Sequence, residues 1–310
     1  DDMININSRL IINASGSWTD EVLKSSNKKL ILSKGIHIVV PKNKFNINQS
    51  LYFDAIDSRM IFAIPRGEIV YIGTTDTKFE HGKDKLNVLE KEVKYLIDSV
   101  KNTFLISIVK KDIISSWVGL RPLIKDGNKK VTEISRRDEI FISEDGIITI
   151  AGGKLTGYRK MAERVVDLAQ KKLGLVKKKS FTKNLKLINH DYDYYKKKCG
   201  KSVINSKIFD KIYNIYGHGC LEIFRIFKEI KSENIIVAEF LYSKQNEMCH
   251  NLLDFFSQRN SVVYFDIKNL DYYLKSLKEY LLKNDLISSK RWTEEELELR
   301  KYINKLTDFI

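Results

Sequence analysis

The chain contains no apolar run of about 18 residues, so no segment reads as a membrane-spanning helix. It also lacks GxGxxG and GxxxxGK[ST], the two glycine patterns that cradle phosphates. Its 3 cysteines, Cys199, Cys220 and Cys249, are too few and too scattered for a disulfide framework or a zinc site, which points to a reducing compartment. None of the 5 histidines stands in an H-x-x-x-H pair, and no metal site is expected. No secretory signal precedes the first strand. The opening DDMININSRLIINASG has an internal methionine and runs at once into a strand, so the native start is expected upstream.

What is present describes a globular protein. Apolar residues make up 43% and aromatics 11% of 310 residues, enough for a sizeable core and two domains. The formal charge of +14 comes mainly from lysine, in a chain also rich in Asn, Ile and Tyr, as AT-rich codon usage produces. A basic balance fits a nucleic acid, an anionic membrane surface or a solvated face. No nucleic-acid-binding motif accompanies it, so nucleic acid is not an expected partner.

Periodicity changes near residue 180. Before it, short β-like runs recur at 9–14, 37–41, 60–65, 69–73 and 147–151, with helical patterns at 87–101 and 155–173. In the latter, Tyr158, Met161, Val165, Leu168 and Leu173 approximate one apolar stripe. Residues 174–184, GLVKKKSFTKN, read as a linker whose glycine caps the preceding helix. Beyond it helical periodicity recurs at 206–228, 233–245, 268–283 and 294–309. The expected fold class is α/β (α+β), with a mixed sheet in the first half and an all-helical second half.

Five stretches of the first half carry residues suited to chemistry. IINASGSW (11–18) runs a strand into a small-residue turn, where backbone N–H groups approach a phosphate or ribose, or simply turn the chain. GIHIVVP (35–41) puts His37 at the head of an apolar strand, as a structural residue or as a base near neutral pH. IVYIGTTDT (69–77) ends a strand in Thr74, Thr75, Asp76 and Thr77, fitting a helix cap or a polar ligand. SSWVGLRPLI (115–124) sets Arg121 among Leu, Val and Ile, which is costly unless its fork meets a carboxylate or phosphate. EISRRDEIF (133–141) offers Arg136 and Arg137 beside Asp138 and Glu139, as a surface ion-pair cluster or an anion site.

A sixth stretch, ITIAGGKLTGYRK (148–160), joins a strand to a helix expected to begin near Leu155. The helix start carries orphan N–H groups and a positive dipole end. Gly152 and Gly153 would admit a flat ring, and Lys154 adds a charge. Such a site suits an acceptor gaining negative charge, such as a reduced flavin's pyrimidine edge, or a phosphate.

Taken in order, these stretches resemble the FAD-dependent glycerol-3-phosphate dehydrogenase family. ISSWVGLRPLI, EISRRDEI and ITIAGGKLTGYRKMAERVVDL are especially similar to bacterial members. SKGIHIVVP, AIPRGEIVYIGTTDT, VAEFLYSKQNEM and DFFSQRNSVVYFD fit the same family in the same order. The resemblance implies part of an FAD-binding domain with a mixed substrate-binding sheet (1–178), followed by the family's all-helical C-terminal domain (179–310). The family's opening βαβ unit with GxGxxG is missing, so the chain is expected to be a C-terminal fragment, inactive on its own.

The resemblance implies roles residue by residue. His37 and Arg121 are catalytic, the first a base for the C2 hydroxyl, the second stabilising a developing alkoxide. Arg121, Arg136 and Lys154 bind substrate, Arg136 through its phosphate, with Arg137 the exposed neighbour. Ala14, Ser15, Gly16, Gly152, Gly153, Lys154, Leu155 and Thr156 contact FAD. The implied reaction oxidises glycerol 3-phosphate to dihydroxyacetone phosphate by hydride transfer to FAD, with electrons passed to a quinone. The implied setting is cytoplasmic, peripheral on the inner face of the membrane, where each well-placed Lys or Arg contributes about 1 kcal/mol against an anionic leaflet. A homodimer is an expected assembly. The related oxygen-using oxidase carries a long insertion between its RPLI-like and SR motifs, whereas only Lys125 to Ile134 separate them here, which favours the dehydrogenase.

Overall fold

The computed structural model describes residues 4–24, 29–83, 86–125, 137–186, 191–199 and 205–309. Along the chain lie β1 (Ile12–Asn13), α1 (Thr19–Leu23), β2 (Leu30–Pro41), β3 (Leu51–Asp54), β4 (Met60–Arg66), β5 (Ile69–Gly73), β6 (Thr77–Phe79) and α2 (Glu90–Phe104). Then come β7 (Ser115–Ile124), β8 (Asp138–Ile142), β9 (Ile148–Gly152) and α3 (Tyr158–Lys172). Among the described residues there follow the α-helices α4 (Tyr192–Cys199), α5 (Ser206–Tyr216), α6 (Cys220–Ile230), α7 (Ile235–Asn246), α8 (Val262–Phe265), α9 (Leu270–Lys283) and α10 (Ser289–Lys305), with a π-helical segment, Asp254–Arg259, before α8. The fold is mixed α/β with a helical C-terminal part, as the periodicity leads one to expect. No strand occurs among the described residues after β9.

The chain forms two compact units. The first comprises Asp1–His37, Gly73–Asn87 and Val118–Leu185; the second comprises Ile38–Ile72, Val88–Trp117 and Lys186–Ile310. The chain passes from one to the other five times: within β2, at the end of β5, between Asn87 and Val88, within β7, and between Leu185 and Lys186.

In the first unit β9 is the middle strand of a three-stranded sheet, parallel to β1 (Ile12 beside Ile148) and antiparallel to β8 (Ile140 beside Ile150). Helix α3 covers it. Val165 and Ala169 are buried with Ile148 and Ile150, and Met161 and Leu168 pack against them. Tyr158, the first residue of the expected stripe, is instead 54% exposed. Gly174 ends the helix with a left-handed φ of +64°, and the N–H of Leu175 returns to the Gln170 carbonyl at 2.9 Å. The beginning of β2 pairs antiparallel with β6 (Ser33 beside Lys78).

In the second unit β3 and β4 pair antiparallel, and α2 lies against β3. Val93, Leu96 and Val100 form the buried face of α2, and Phe104 closes its end with ring contacts to Phe45 and Phe53 at 5.3 and 4.8 Å. The helical part has two cores. Phe209, Ile212, Ile223 and Phe224 anchor one; Leu252, Phe255, Leu277 and Trp292 anchor the other. Helix α7 contributes to both, Ala238 to the first and Ile236, Val237 and Phe240 to the second, so it is apolar on more than one face. Side chains of Asn205, Asn234 and Ser288 cap α5, α7 and α10.

One periodic segment differs from its sequence reading. Residues 206–228 read as one helix, but Gly217, at φ +56°, ends α5 and a 3-10 turn through Gly219 re-aims the chain into α6. A Cβ on Gly219 would fall on the Tyr242 hydroxyl group, 2.9 Å from Cζ, so the break lets α5–α6 and α7 approach closely.

Candidate active site

The first unit encloses a cavity of about 960 Å³, whose walls come from three distant stretches: Ala14 after β1, Leu120–Leu123 of β7, and the end of β9 with its turn into α3. Ala14, Arg121, Gly152, Gly153, Lys154 and Thr156 all line it, together with Leu155. Seven of the residues expected to serve one site are therefore brought together.

Arg121 is the most constrained of them. One terminal nitrogen, Nη2, donates to Thr74 Oγ1 at 2.8 Å; Nη1 donates to the Thr75 carbonyl at 3.2 Å and lies 3.5 Å from Asp76 Oδ1. Asp76 Oδ1 also accepts from the Ser33 hydroxyl, and Thr75 Oγ1 accepts from the Ile36 N–H at 3.0 Å. The guanidinium passes over Gly35, where a Cβ would collide with both terminal nitrogens and lie 2.6 Å from Thr74 Oγ1. Thus Thr74, Thr75 and Asp76 hold the arginine fork, and Gly35 gives it room.

His37, two residues along β2 from Gly35, packs its ring on the backbone of Gly73; a Cβ there would come within 2.7 Å of Cγ. Burial, then the nearby positive charge of Arg121, lowers the imidazole from 6.5 to about 4. At neutral pH the ring is uncharged and retains a lone pair for a proton.

The turn after β1 is tied together by Asn13, which is buried. Its Oδ1 accepts from the Ser15 N–H and hydroxyl at 3.2 and 2.6 Å, and its Nδ2 donates to the Thr19 carbonyl at 3.2 Å. Gly16 turns the chain at φ +59° into a 3-10 turn, Gly16–Trp18. Ala14 lines the cavity, whereas Ser15 and Gly16 shape the turn behind it.

The glycine pair has a reason internal to the chain. Gly152 and Gly153 have φ of +74° and +84°. A Cβ on Gly152 would strike the Arg137 carbonyl oxygen; one on Gly153 would lie 2.8 Å from Met161 Sδ. The Gly153 N–H donates to that same carbonyl at 2.9 Å. The α-helix starts later than expected: Leu155–Gly157 is a 3-10 turn, and α3 begins at Tyr158. Lys154 and Thr156 are exposed on this turn, and Leu155 is 90% exposed. Arg137 is also exposed, 4.0 Å from Glu139, and Asp138 pairs with Arg164. Arg136 lies outside the described residues.

Sequence reasoning assigned no role to Gly35, Gly73, Ser33 or Asn13 and left Thr74–Asp76 open. Their shared signal is small or polar residues inside otherwise apolar strands.

Residues 4–159 match the family of FAD dependent oxidoreductases. The chain belongs to that family. FAD is the cofactor by which the family is defined, and a mostly apolar cavity of this size, with Arg121 and Lys154 as cations, suits one edge of such a ring system. The aerobic glycerol-3-phosphate dehydrogenase of Staphylococcus haemolyticus is 37% identical over 307 residues, covering 91% of this chain and 55% of the relative. That of Staphylococcus saprophyticus is 39% identical over 290 residues, covering 86% and 52%. The X-ray structure of the glycerol-3-phosphate dehydrogenase from Bacillus halodurans complexed with FAD superposes with a TM-score of 0.82 at 28% identity, over 98% of this chain and 63% of that one. The chain thus spans about half the length of the curated relatives it matches.

Proposed function

We propose that the protein carrying this chain oxidises glycerol 3-phosphate to dihydroxyacetone phosphate and passes the electrons to a quinone. The observation that supports this best is the gathering of Ala14, Arg121 and Gly152–Thr156 around one cavity, in a chain that aligns with aerobic glycerol-3-phosphate dehydrogenases over most of its length.

FAD supplies the hydride acceptor when bound. Ala14 and the Gly152–Thr156 turn are the residues that would hold its ring edge. The chain's own groups manage proton and charge. Neutral His37 takes the proton of the C2 hydroxyl. Its low basicity follows from burial first and from the nearby Arg121 charge second; a dianionic phosphate brought nearby would offset that charge and strengthen the base. Arg121, already held by Thr74, Thr75 and Asp76, presents its guanidinium to the oxygen where negative charge develops, without reorganising during the step. Arg136 and Lys154 bind the phosphate in this reading, the arginine through a bidentate fork. The enzyme works at the inner face of the cytoplasmic membrane, where a basic surface favours an anionic leaflet.

The test is turnover of the protein carrying this chain, supplied with FAD, with glycerol 3-phosphate as donor and a soluble quinone analogue as acceptor. Dihydroxyacetone phosphate should appear in step with quinone reduction. Turnover absent with quinone but present with oxygen would replace the dehydrogenase by the oxidase, and no product with either would end the reading.

A further inference from the structure

The second unit contains a larger cavity, about 1240 Å³, which shares no lining residue with the first. It is formed by the β4–β5 turn, one side of α5 and the stretch 260–269. Two aromatic rings on its wall, Tyr71 and Phe265, stand 6.0 Å apart, and Trp117 supports both at 5.6 and 5.7 Å. The Arg66 guanidinium lies over the Phe265 ring, 4.3 Å from its centroid.

The polar lining favours negative charge. Among the described residues it includes the cations Arg66, Lys207, Lys211 and Lys268 and the carboxylates Glu68 and Asp266. Asp266 is already engaged, accepting from the Tyr273 hydroxyl and from Asn269 Nδ2, each at 2.7 Å, and Lys211 in turn donates to the Tyr273 hydroxyl at 3.5 Å, which leaves Arg66, Lys207 and Lys268 against Glu68. Asn260 is the second, independent sign. It is 7% exposed, and its Oδ1 accepts from the Val262 N–H at 3.1 Å, yet its buried Nδ2 has no acceptor among the described residues. A buried amide donor without an acceptor is unfavourable, and an acceptor in the cavity it lines would relieve that. Solvent could serve one donor. Solvent does not explain why flat rings, a stacked guanidinium and three lysines line the same cavity.

We infer that this cavity binds a small anion with a flat apolar body. The body lies against Tyr71 and Phe265, the charged end meets the lysines, and one of its oxygens accepts from Asn260 Nδ2. Phosphate monoesters and carboxylates share this chemistry. The site owes nothing to the redox reading of the first cavity and stands if that reading fails.

Calorimetric titration of the full 310-residue chain with phenyl phosphate, benzoate, inorganic phosphate and benzyl alcohol tests it. One or both aromatic anions should bind at least ~tenfold tighter than either inorganic phosphate or benzyl alcohol; which one leads identifies the charged end. Asn260→Ala and Lys211→Met should each weaken that binding ~fivefold or more, whereas Lys154→Ala, in the other cavity, should leave it unchanged. If Asn260→Ala fails to fold by circular dichroism, the exposed pair Lys207→Met and Lys268→Met carries the test with the same expected loss. Equal binding of aromatic anions and inorganic phosphate overturns the inference. So does parental affinity in the cavity variants, or loss of binding in Lys154→Ala.

Discussion

His37 and Glu239 are displaced from their ordinary proton affinities in opposite senses, and the sign of each displacement makes a prediction. His37 is lowered to about 4, so it stays a neutral base well below the usual histidine range. In the proposed enzyme, kcat/KM expressed per dianionic substrate, with the phosphate's own second ionisation at about 6 divided out, should hold level as pH falls from 7 to 5 and drop only as it nears 4. An acid limb near 6.5 that survives that division would assign the base to another group. Glu239, wholly buried in α7, is raised from 4.5 to about 7, first by burial, against the pull of Lys211 and of the Tyr216 hydroxyl that donates to it at 3.1 Å. Between those values the folded state holds the proton that the unfolded chain releases. Its contribution is therefore full below about 4.5 and is lost as pH rises through 7. Glu239→Gln should flatten that decline, read as a smaller difference in the urea midpoint between pH 5 and pH 8.5 than in the parent. Arg121→Lys keeps the charge but cannot reproduce the fork to Thr74 and Thr75, and should cost about 100-fold in kcat/KM with the thermal midpoint nearly unchanged. Arg121 was legible as an arginine in an apolar stretch. Its cradle was visible only as a polar strand end, because the two lie 46 and 47 residues apart in sequence. Glu239 and Asn260 carried no signal, since burial of a polar residue by distant helices leaves no local pattern.

At the scale of elements, periodicity located β5, β9, α3, α7 and α9, whose faces are set by local alternation. It missed β6 and β8, short strands defined by their partners, and also β3 and β7, and ran α5 and α6 together because both present apolar faces at helical spacing. The glycine pair after β9 shows why a motif's cause is not always its use. Gly152→Ala would force a left-handed φ on alanine and drive its Cβ into the Arg137 carbonyl, whereas Gly16→Ala meets the φ penalty with open space around the Cβ. The first should cost about 2–3 kcal/mol and the second about 1 kcal/mol, compared by urea unfolding of the two variants. Equal costs would mean the β9 turn yields locally, leaving φ as the whole effect.

At the scale of the whole molecule, the order of elements along the chain and the make-up of its compact units are different things. Sheet-forming and helix-forming sequence change over near residue 180, but each unit is assembled from three stretches. Residues 88–117 belong with the C-terminal helices, and Ser116 Oγ donates to the Leu306 carbonyl in a buried bond that spans 190 residues. Lys110 sits over the Phe309 ring at 5.5 Å in the same unit. A 1–178 piece would retain β3, β4 and α2 without the rest of their unit. It should show far-ultraviolet circular dichroism of a mixed fold but bind 8-anilinonaphthalenesulfonate and unfold without a sharp transition. A cooperative, dye-silent 1–178 would show that the first 178 residues stand alone.

The interleaving of β2, β5 and β7 between the units has a consequence for inheritance. A protein whose parts follow one another can trade its C-terminal half as a cassette, by a single crossover between genes. Here one crossover near residue 180 would bring in helices without the strand segments they share a unit with. The helical part is therefore expected to change by substitution in step with residues 38–72 and 88–117, and chimeras should fold only when those segments travel with it.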